Sequence, residues 1–332
     1  MSKVKTDNNF ELKKFIVKNN AIMIFILLVV VASCMSSNFL TVNNIMNVVR
    51  QQVPYVLVAI GAMLVMMTGG IDLSSGAVLG VGSCVIALYL QKLQITGVNG
   101  LLVGLLITVI VGAIFGALSG FLVAYCKIAA FIATLAVMTI AQGAAYIATN
   151  GQPVRLKAGT PAADAMINFG KGKFLGIPLG VYVALVFIIV FLFIVKKTAY
   201  GRLLIACGSN EVSVRLSGIN VKRYKLTAYI IAGALSSLAG TFVTCRAASA
   251  TPSTTGGGYE LDAIAAVVIG GASLDGGKAS VLNTIIGVFI MAIIGNIMNL
   301  MSIAAYPQKV VKGVIIIAAV LLQKVGSRSR EG

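Results

Sequence analysis

Several apolar runs in this sequence approach the length of a bilayer-crossing helix. Ile22 to Met35, Leu101 to Tyr125, Val181 to Val195 and Val281 to Met301 contain no charged residue, and roughly 20 helical residues cross a hydrocarbon core. Of the 332 residues, 58% are hydrophobic and 11% charged, a balance too apolar for a water-facing surface. Backbone in lipid must satisfy its own hydrogen bonds, so such runs fold as helices. The expected fold is all-α: a polytopic bundle forming a single transmembrane domain over residues 1–332.

Gly, Pro and charge punctuation divides the chain into ten expected spans. They lie near residues 15–35, 53–68, 73–91, 100–125, 128–148, 179–195, 226–245, 261–272, 279–301 and 309–323. The span near 261–272 is short, which suits either a half-helix or part of a re-entrant hairpin. With ten spans both termini share a side, and that side holds most of the 26 Lys and Arg residues. The positive-inside rule therefore makes it the cytoplasm and gives a multi-pass membrane protein with both termini cytoplasmic. Lys13, Lys14, Lys18 and the Val31-Ala32-Ser33-Cys34 string also resemble a lipoprotein signal. Cleavage there would remove the first span of a consistent charge pattern, so a first membrane helix is the better reading.

The net charge of +17 is spread over span ends rather than gathered in one stripe, so it reports topology and not a nucleic-acid partner. The chain has no His and no Trp, which excludes Ser-His and Cys-His nucleophile pairs and imidazole metal sites. The five Cys are far apart with no CxxC spacing, and the nine acidic residues form no metalloenzyme constellation. Gly276-Gly277-Lys278-Ala279-Ser280 glances toward a phosphate loop, but Ala272 and Ala279 stand where that motif needs Gly and Ser or Thr. A tight turn is expected there, and neither an enzyme, a metal nor a cofactor.

The longest polar stretch on the expected cytoplasmic side runs over about 196–225. Within it Ser209 or Asn210 can cap a short helix, Glu211 suits its positive end, and Gly218 can end it after about two turns. This loop, Thr68-Gly69-Gly70-Ile71-Asp72-Leu73-Ser74, and the string from Gly258 to Gly271 resemble the permease subunits of ribose-type sugar importers driven by ATP-binding-cassette ATPases. The similarity runs from about Ser36 to residue 322, with Ala130-Phe131-Ile132-Ala133-Thr134-Leu135 and Thr149-Asn150-Gly151-Gln152-Pro153-Val154 closest to the ribose branch. Family members often carry two Ala where this loop has Ser213 and Val214, and often Pro where it has Ala130.

The resemblance implies a homodimeric subunit with no catalytic activity, lodged in membrane lipid and passing a monosaccharide. It would bind a cytoplasmic ATPase and receive sugar from an extracytoplasmic binding protein. Gly208, Asn210, Glu211, Arg215, Leu216, Ser217 and Gly218 would form the element seated in the ATPase. The residues alone leave open a stand-alone ion-coupled transporter of a small polar solute, although that normally needs a buried titratable group.

Gly69, Gly70 and Asp72 interrupt an apolar stretch, either as a turn or as a helix break that acts as a gate. Glu260 and Asp262 sit in a similar string: Gly69-Gly70-Ile71-Asp72-Leu73 parallels Gly257-Gly258-Tyr259-Glu260-Leu261, on the opposite membrane face by this topology, as in inverted halves. Thr134, Gln142, Asn283, Asn296 and Asn299 are neutral polar candidates for a solute path, each with helix-to-helix bonding as the plainer role. Gly112, Gly116 and Gly120 fit close helix packing. The outer loop over about 149–178 is the expected contact for the binding protein.

Overall fold

The computed structural model describes residues 20–92, 98–252 and 254–328, so Lys13, Lys14, Lys18 and the start of the first expected span lie outside it. The helices, in chain order, are α1 Asn20–Met35, α2 Val42–Met67, α3 Ser75–Lys92, α4 Val98–Ala124, α5 Ala130–Thr149, α6 Pro161–Lys171, α7 Leu179–Lys197, α8 Ala199–Ser209, α9 Glu211–Leu216, α10 Val221–Ala247, α11 Tyr259–Ile269, α12 Val281–Leu300 and α13 Ala305–Arg328. Four two-residue strands make two small antiparallel pairs. β1 Val154–Arg155 pairs with β4 Ser249–Ala250, and β2 Lys173–Phe174 with β3 Ile177–Pro178.

Among the described residues six helices, α2, α4, α5, α7, α10 and α12, are long and apolar enough to cross a membrane, and α1 and α3 are shorter apolar helices. The protein is thus an all-α polytopic bundle. The largest departure from the expected boundaries is in α2, which begins at Val42 instead of near residue 53. Thr41 caps it, its hydroxyl accepting from the Asn44 amide at 3.4 Å. The helix runs on through Gln51, Gln52 and Pro54, which looked like a boundary in sequence.

The bundle is organised around α2 and α10. Helix α10 packs on α2, α3 and α4, and α2 packs on α10, α11 and α12. Glycine permits the closest approaches. A Cβ on Gly112 or Gly116 would collide with the α10 backbone, and one on Gly233 with the Gly112 carbonyl, so the expected close-packing glycines do touch a neighbouring helix. Buried hydroxyls cross-link the same helices: Ser83 Oγ and Thr244 Oγ1 are 2.6 Å apart, and Ser237 donates to the Thr108 carbonyl at 2.7 Å. By contrast α4, α5 and α7 turn large apolar side chains outward, among them Leu106, Ile114, Phe131, Ile147, Ile189 and Phe193.

The short stretch near 261–272 forms the 11-residue α11. From β4 the chain turns back into the bundle until Gly256 abuts Gly76 and Gly80 on the first turns of α3, and α11 starts there. The strings around Asp72 and Glu260 therefore meet inside the bundle instead of lying apart on two faces. Packing at the α4–α10 crossing generates a contrast between substitutions. Gly233→Val should destabilise by about 3 kcal/mol or more through overpacking and lose the monodisperse chromatographic peak in detergent. Gly143→Val, with nothing within 4 Å of its added Cβ, should keep it.

Candidate functional site

At one end of the bundle the polar loop after α7 folds into an arm of two helices. The sequence foretold only the second. Thr198 caps α8, accepting from the Gly201 amide at 3.3 Å, and fully buried Leu204 anchors it. Thr198 and the Leu204/Cys207 spacing were the signals for this helix, hidden by their closeness to the end of α7.

Helix α9 forms as its caps require. Asn210 Oδ1, not Ser209, accepts from the Ser213 amide at 2.9 Å. At the other end Gly218 has φ 80°, its amide donates to the Arg215 carbonyl at 3.0 Å, and the Ile219 amide donates to Val214 at 3.3 Å, the two bonds of a Schellman ending. Val214 packs inward with Val221 and Ile219. Lys225 Nζ lies 2.6 Å from Glu211 Oε2 and ties α9 to α10. What α9 shows outward is apolar and basic: Leu216 is 84% exposed and Val212 57%, with exposed Arg215 between them.

The arm reaches the helix break through glycine. A Cβ on Gly208 would strike the Met67 carbonyl and stand 2.5 Å from the Gly277 nitrogen. The Gly277 amide donates to the Met67 carbonyl at 3.1 Å, and a Cβ on Gly276 would lie 2.7 Å from the Gly69 nitrogen. Three backbone segments, 67–70, 208–209 and 275–277, thus touch without intervening side chains. The Gly276–Gly277 segment is a turn, as read from sequence.

Beyond Gly69 and Gly70 the chain stays non-helical to Ser74, so the break between α2 and α3 is real. Buried Asp72 accepts through Oδ1 from the Ser74 amide at 2.8 Å and the Ser74 hydroxyl at 2.6 Å, a local cap on the chain entering α3. Tyr229, fully buried on α10, donates to the Ile71 carbonyl at 3.4 Å. Glu260 is 7% exposed and lies against Gly76; its Oε1 accepts from the Gly258 amide at 3.3 Å, while Oε2 has no hydrogen-bond partner.

A polar recess of about 160 Å³ opens between α2, α11, α12 and α13. Asp262 Oδ2 pairs with Lys312 Nζ at 2.6 Å. Asn296 and Asn44 exchange amide bonds at 2.8 and 2.9 Å, and Gln308 Nε2 donates to Asn299 Oδ1 at 2.8 Å. Gln51, Gln52 and Tyr55 complete the wall, with Tyr55 stacked on Tyr259 at 4.1 Å.

The recess therefore gathers Asp262, Asn296 and Asn299 and leaves the other path candidates elsewhere. Thr134 is buried and bonds the Ala130 carbonyl of its own helix at 2.8 Å, Gln142 is exposed on α5, and Asn283 is half-buried at the start of α12. Missed in sequence were Gln51, Gln52, Tyr55, Gln308 and Lys312. The signal for Lys312 was a cation set inside the last expected span, one turn beyond Lys309 at its start.

The family model described as branched-chain amino acid transport system / permease component matches residues 44–320. Similar proteins include the ribose import permease protein of Bacillus subtilis strain 168, 43% identical over 90% of each chain. That of Haemophilus influenzae is 37% identical over 95% of each. The L-arabinose transport system permease protein of Escherichia coli K12 is 32% identical over 93% of this chain and 91% of its own. No solved structure matches.

Substitutions at the two ion pairs test the site's electrostatics. Lys312→Met should cost about 2–3 kcal/mol in thermal unfolding, because it strands a mostly buried Asp262 carboxylate, and adding Asp262→Asn should restore most of it. Lys225, hydrogen-bonded to Glu211, holds that carboxyl below its ordinary value of 4.5. A lowered folded value adds stability that is present above 4.5 and lost as the pH falls through the shifted value. The pair is partly exposed, so its contribution is below about 1 kcal/mol. Intrinsic-rate-corrected amide exchange across 211–218 should rise below pH 4.5, and Lys225→Met should abolish that step.

Proposed function

Because the chain belongs to the family of branched-chain amino acid transport system permease components, we propose that it is the membrane subunit of an ATP-driven importer carrying a monosaccharide, ribose or a related sugar. The sugar assignment rests on the relatives named for ribose and arabinose. The chain is a permease subunit and not an enzyme; ATP is hydrolysed on a partner ATPase. A stand-alone ion-coupled transporter is not favoured, since the relatives are named as components of import systems.

In this reading the protein crosses the bacterial inner membrane ten times, with α3, α11 and α13 as spans beside the seven longer or more apolar ones. Both termini and the α8–α9 arm are cytoplasmic. Two copies pair, a sugar-binding protein docks on the outer loop over 149–178, and an ATPase docks on the arm. The observation that carries the coupling role is α9 itself: capped at both ends, pinned by Glu211 to Lys225, yet holding Val212, Arg215 and Leu216 outward. A merely solvated loop needs neither a Schellman ending nor exposed aliphatic residues.

Docking there would push on Gly208 and, through it, on the Met67 carbonyl and the Gly276–Gly277 turn. That places the force on the break at Gly69, Gly70 and Asp72 and on the far end of α11, whose first turn holds Glu260 and Asp262. We assign these residues to the gate. The recess with Asn296 and Asn299 is the outer part of the path, where neutral amides can exchange hydrogen bonds with sugar hydroxyls. Thr134, Gln142 and Asn283 are reassigned to helix packing or the bundle surface.

The test is reconstitution with the ATPase and binding-protein partners and a panel of labelled ribose, arabinose and hexoses. ATP-dependent pentose uptake is expected, and uptake by this chain alone under an ion gradient would overturn the assignment. Arg215→Ala combined with Glu211→Ala should lower uptake roughly tenfold or more, the scale of a lost coupling free energy. The amount of membrane-inserted protein should stay unchanged in immunoblots.

A further inference from the structure

A second cavity, of about 840 Å³, opens beside the arm between the α4–α5 turn, α9, the start of α10 and the break at Thr68, Gly69 and Gly70. Its wall carries Lys127, Arg215, Lys222 and Lys225 but one carboxylate, Glu211, which Lys225 already holds. Among the described residues no carboxylate lies within ion-pair distance of Lys127, Arg215 or Lys222. Four cations around one cavity thus share the single Glu211 carboxylate, which also feels Arg215 and Lys127, and the excess positive charge creates a local preference for an anion.

The turn that supplies Lys127 is built at a cost. Lys127 has φ 58°, a left-handed conformation that non-glycine residues seldom adopt. Lys222 is placed over the Tyr125 ring, 5.4 Å from its centre, a cation–π contact that fixes its ammonium at the cavity wall. Ile128 of the same turn lines the cavity, and on either side of it Leu118 and Phe121 of α4 and Phe131 and Ile132 of α5 are exposed apolar residues. A ligand complementary to both parts is anionic at one end and apolar along the other.

We propose that this cavity binds the phosphate headgroup of an anionic phospholipid whose acyl chains lie along the α4–α5 face. Basic pockets between membrane helices recognise such headgroups through the same combination of charge and flanking apolar surface. A free phosphate would use the cations and leave the apolar face idle. An acidic protein surface would meet the cations from water and not reach the helix flank. Because Arg215 and the Glu211–Lys225 pair share the cavity wall, an occupied headgroup site sits against the base of α9.

The full chain in nanodiscs of phosphatidylcholine with graded phosphatidylglycerol provides the test, with retained lipid read by native mass spectrometry. Preferential retention of phosphatidylglycerol is expected. Lys127→Asn with Lys222→Gln, Asn being tolerant of the left-handed backbone, should weaken it roughly 30-fold without altering phosphatidylcholine retention. Lys127→Arg with Lys222→Arg should restore it, which separates lost charge from lost folding. Unchanged phosphatidylglycerol retention in the Asn/Gln variant would overturn the proposal, as would displacement of the lipid by inorganic phosphate. So would loss of ATPase association with retention intact, which would make the cavity a protein interface.

Discussion

An interrupted helix inside an apolar bundle leaves amides and carbonyls without their helical partners, and each one left unpaired away from water costs several kcal/mol. The two interruptions here, at residues 68–74 and before α11 at 254–258, persist because other groups are brought against them. The Gly277 amide caps the Met67 carbonyl, Asp72 takes the Ser74 amide, and Gly256 nests on Gly76 and Gly80. This requirement accounts for the central placing of α2 and α10. They are the helices that lead into the breaks, and α10 also supplies the Tyr229 hydroxyl that reaches Ile71. Glycine is concentrated where these elements cross, because any side chain there would hold the backbones apart.

The same closeness has a mechanical consequence. Contacts made through flexible side chains can absorb a displacement by rotamer change, whereas backbone on backbone cannot. The junction of Gly69, Gly208, Gly276 and Gly277 therefore links the arm to the break with little slack, and close-packed interiors of this kind switch between discrete arrangements rather than deform continuously. A two-turn helix is a suitable lever only if it stays folded while pushed. Asn210 and Gly218 supply that rigidity from within a few residues of sequence, and the Glu211–Lys225 pair adds a tie to α10.

Local features were legible before the structure, and long-range ones were not. The caps of α9 could be read because Asn210 and Gly218 act on their own neighbours, and Gly112 and Gly116 because helical spacing places them on one face. The start of α2 was misread because Arg50, Gln51, Gln52 and Pro54 resemble a boundary. They continue a helix whose polar face is matched by α12, as the Asn44–Asn296 pair, 252 residues apart, makes plain. The Asp262–Lys312 pair spans 50 residues and leaves no periodic trace in either helix. The likeness of the Asp72 and Glu260 strings was visible in sequence, but their meeting depth depends on how far in the 254–258 segment lies, which only packing against Gly76 and Gly80 determines.

The polar equipment of the two ends differs in kind, and the difference bears on the proposed transport. Around the recess most polar groups are neutral and already mutually paired: Asn44 with Asn296, Gln308 with Asn299, and one ion pair closed on itself. A hydroxylated solute entering such a recess exchanges one set of hydrogen bonds for another of similar strength, so it gains little by staying. That is the condition for passage, since a path that bound its solute tightly would retain it. At the arm, by contrast, charge and exposed aliphatic surface go unpaired within the chain. Their partners must come from outside it, in keeping with a subunit whose energy source is another protein.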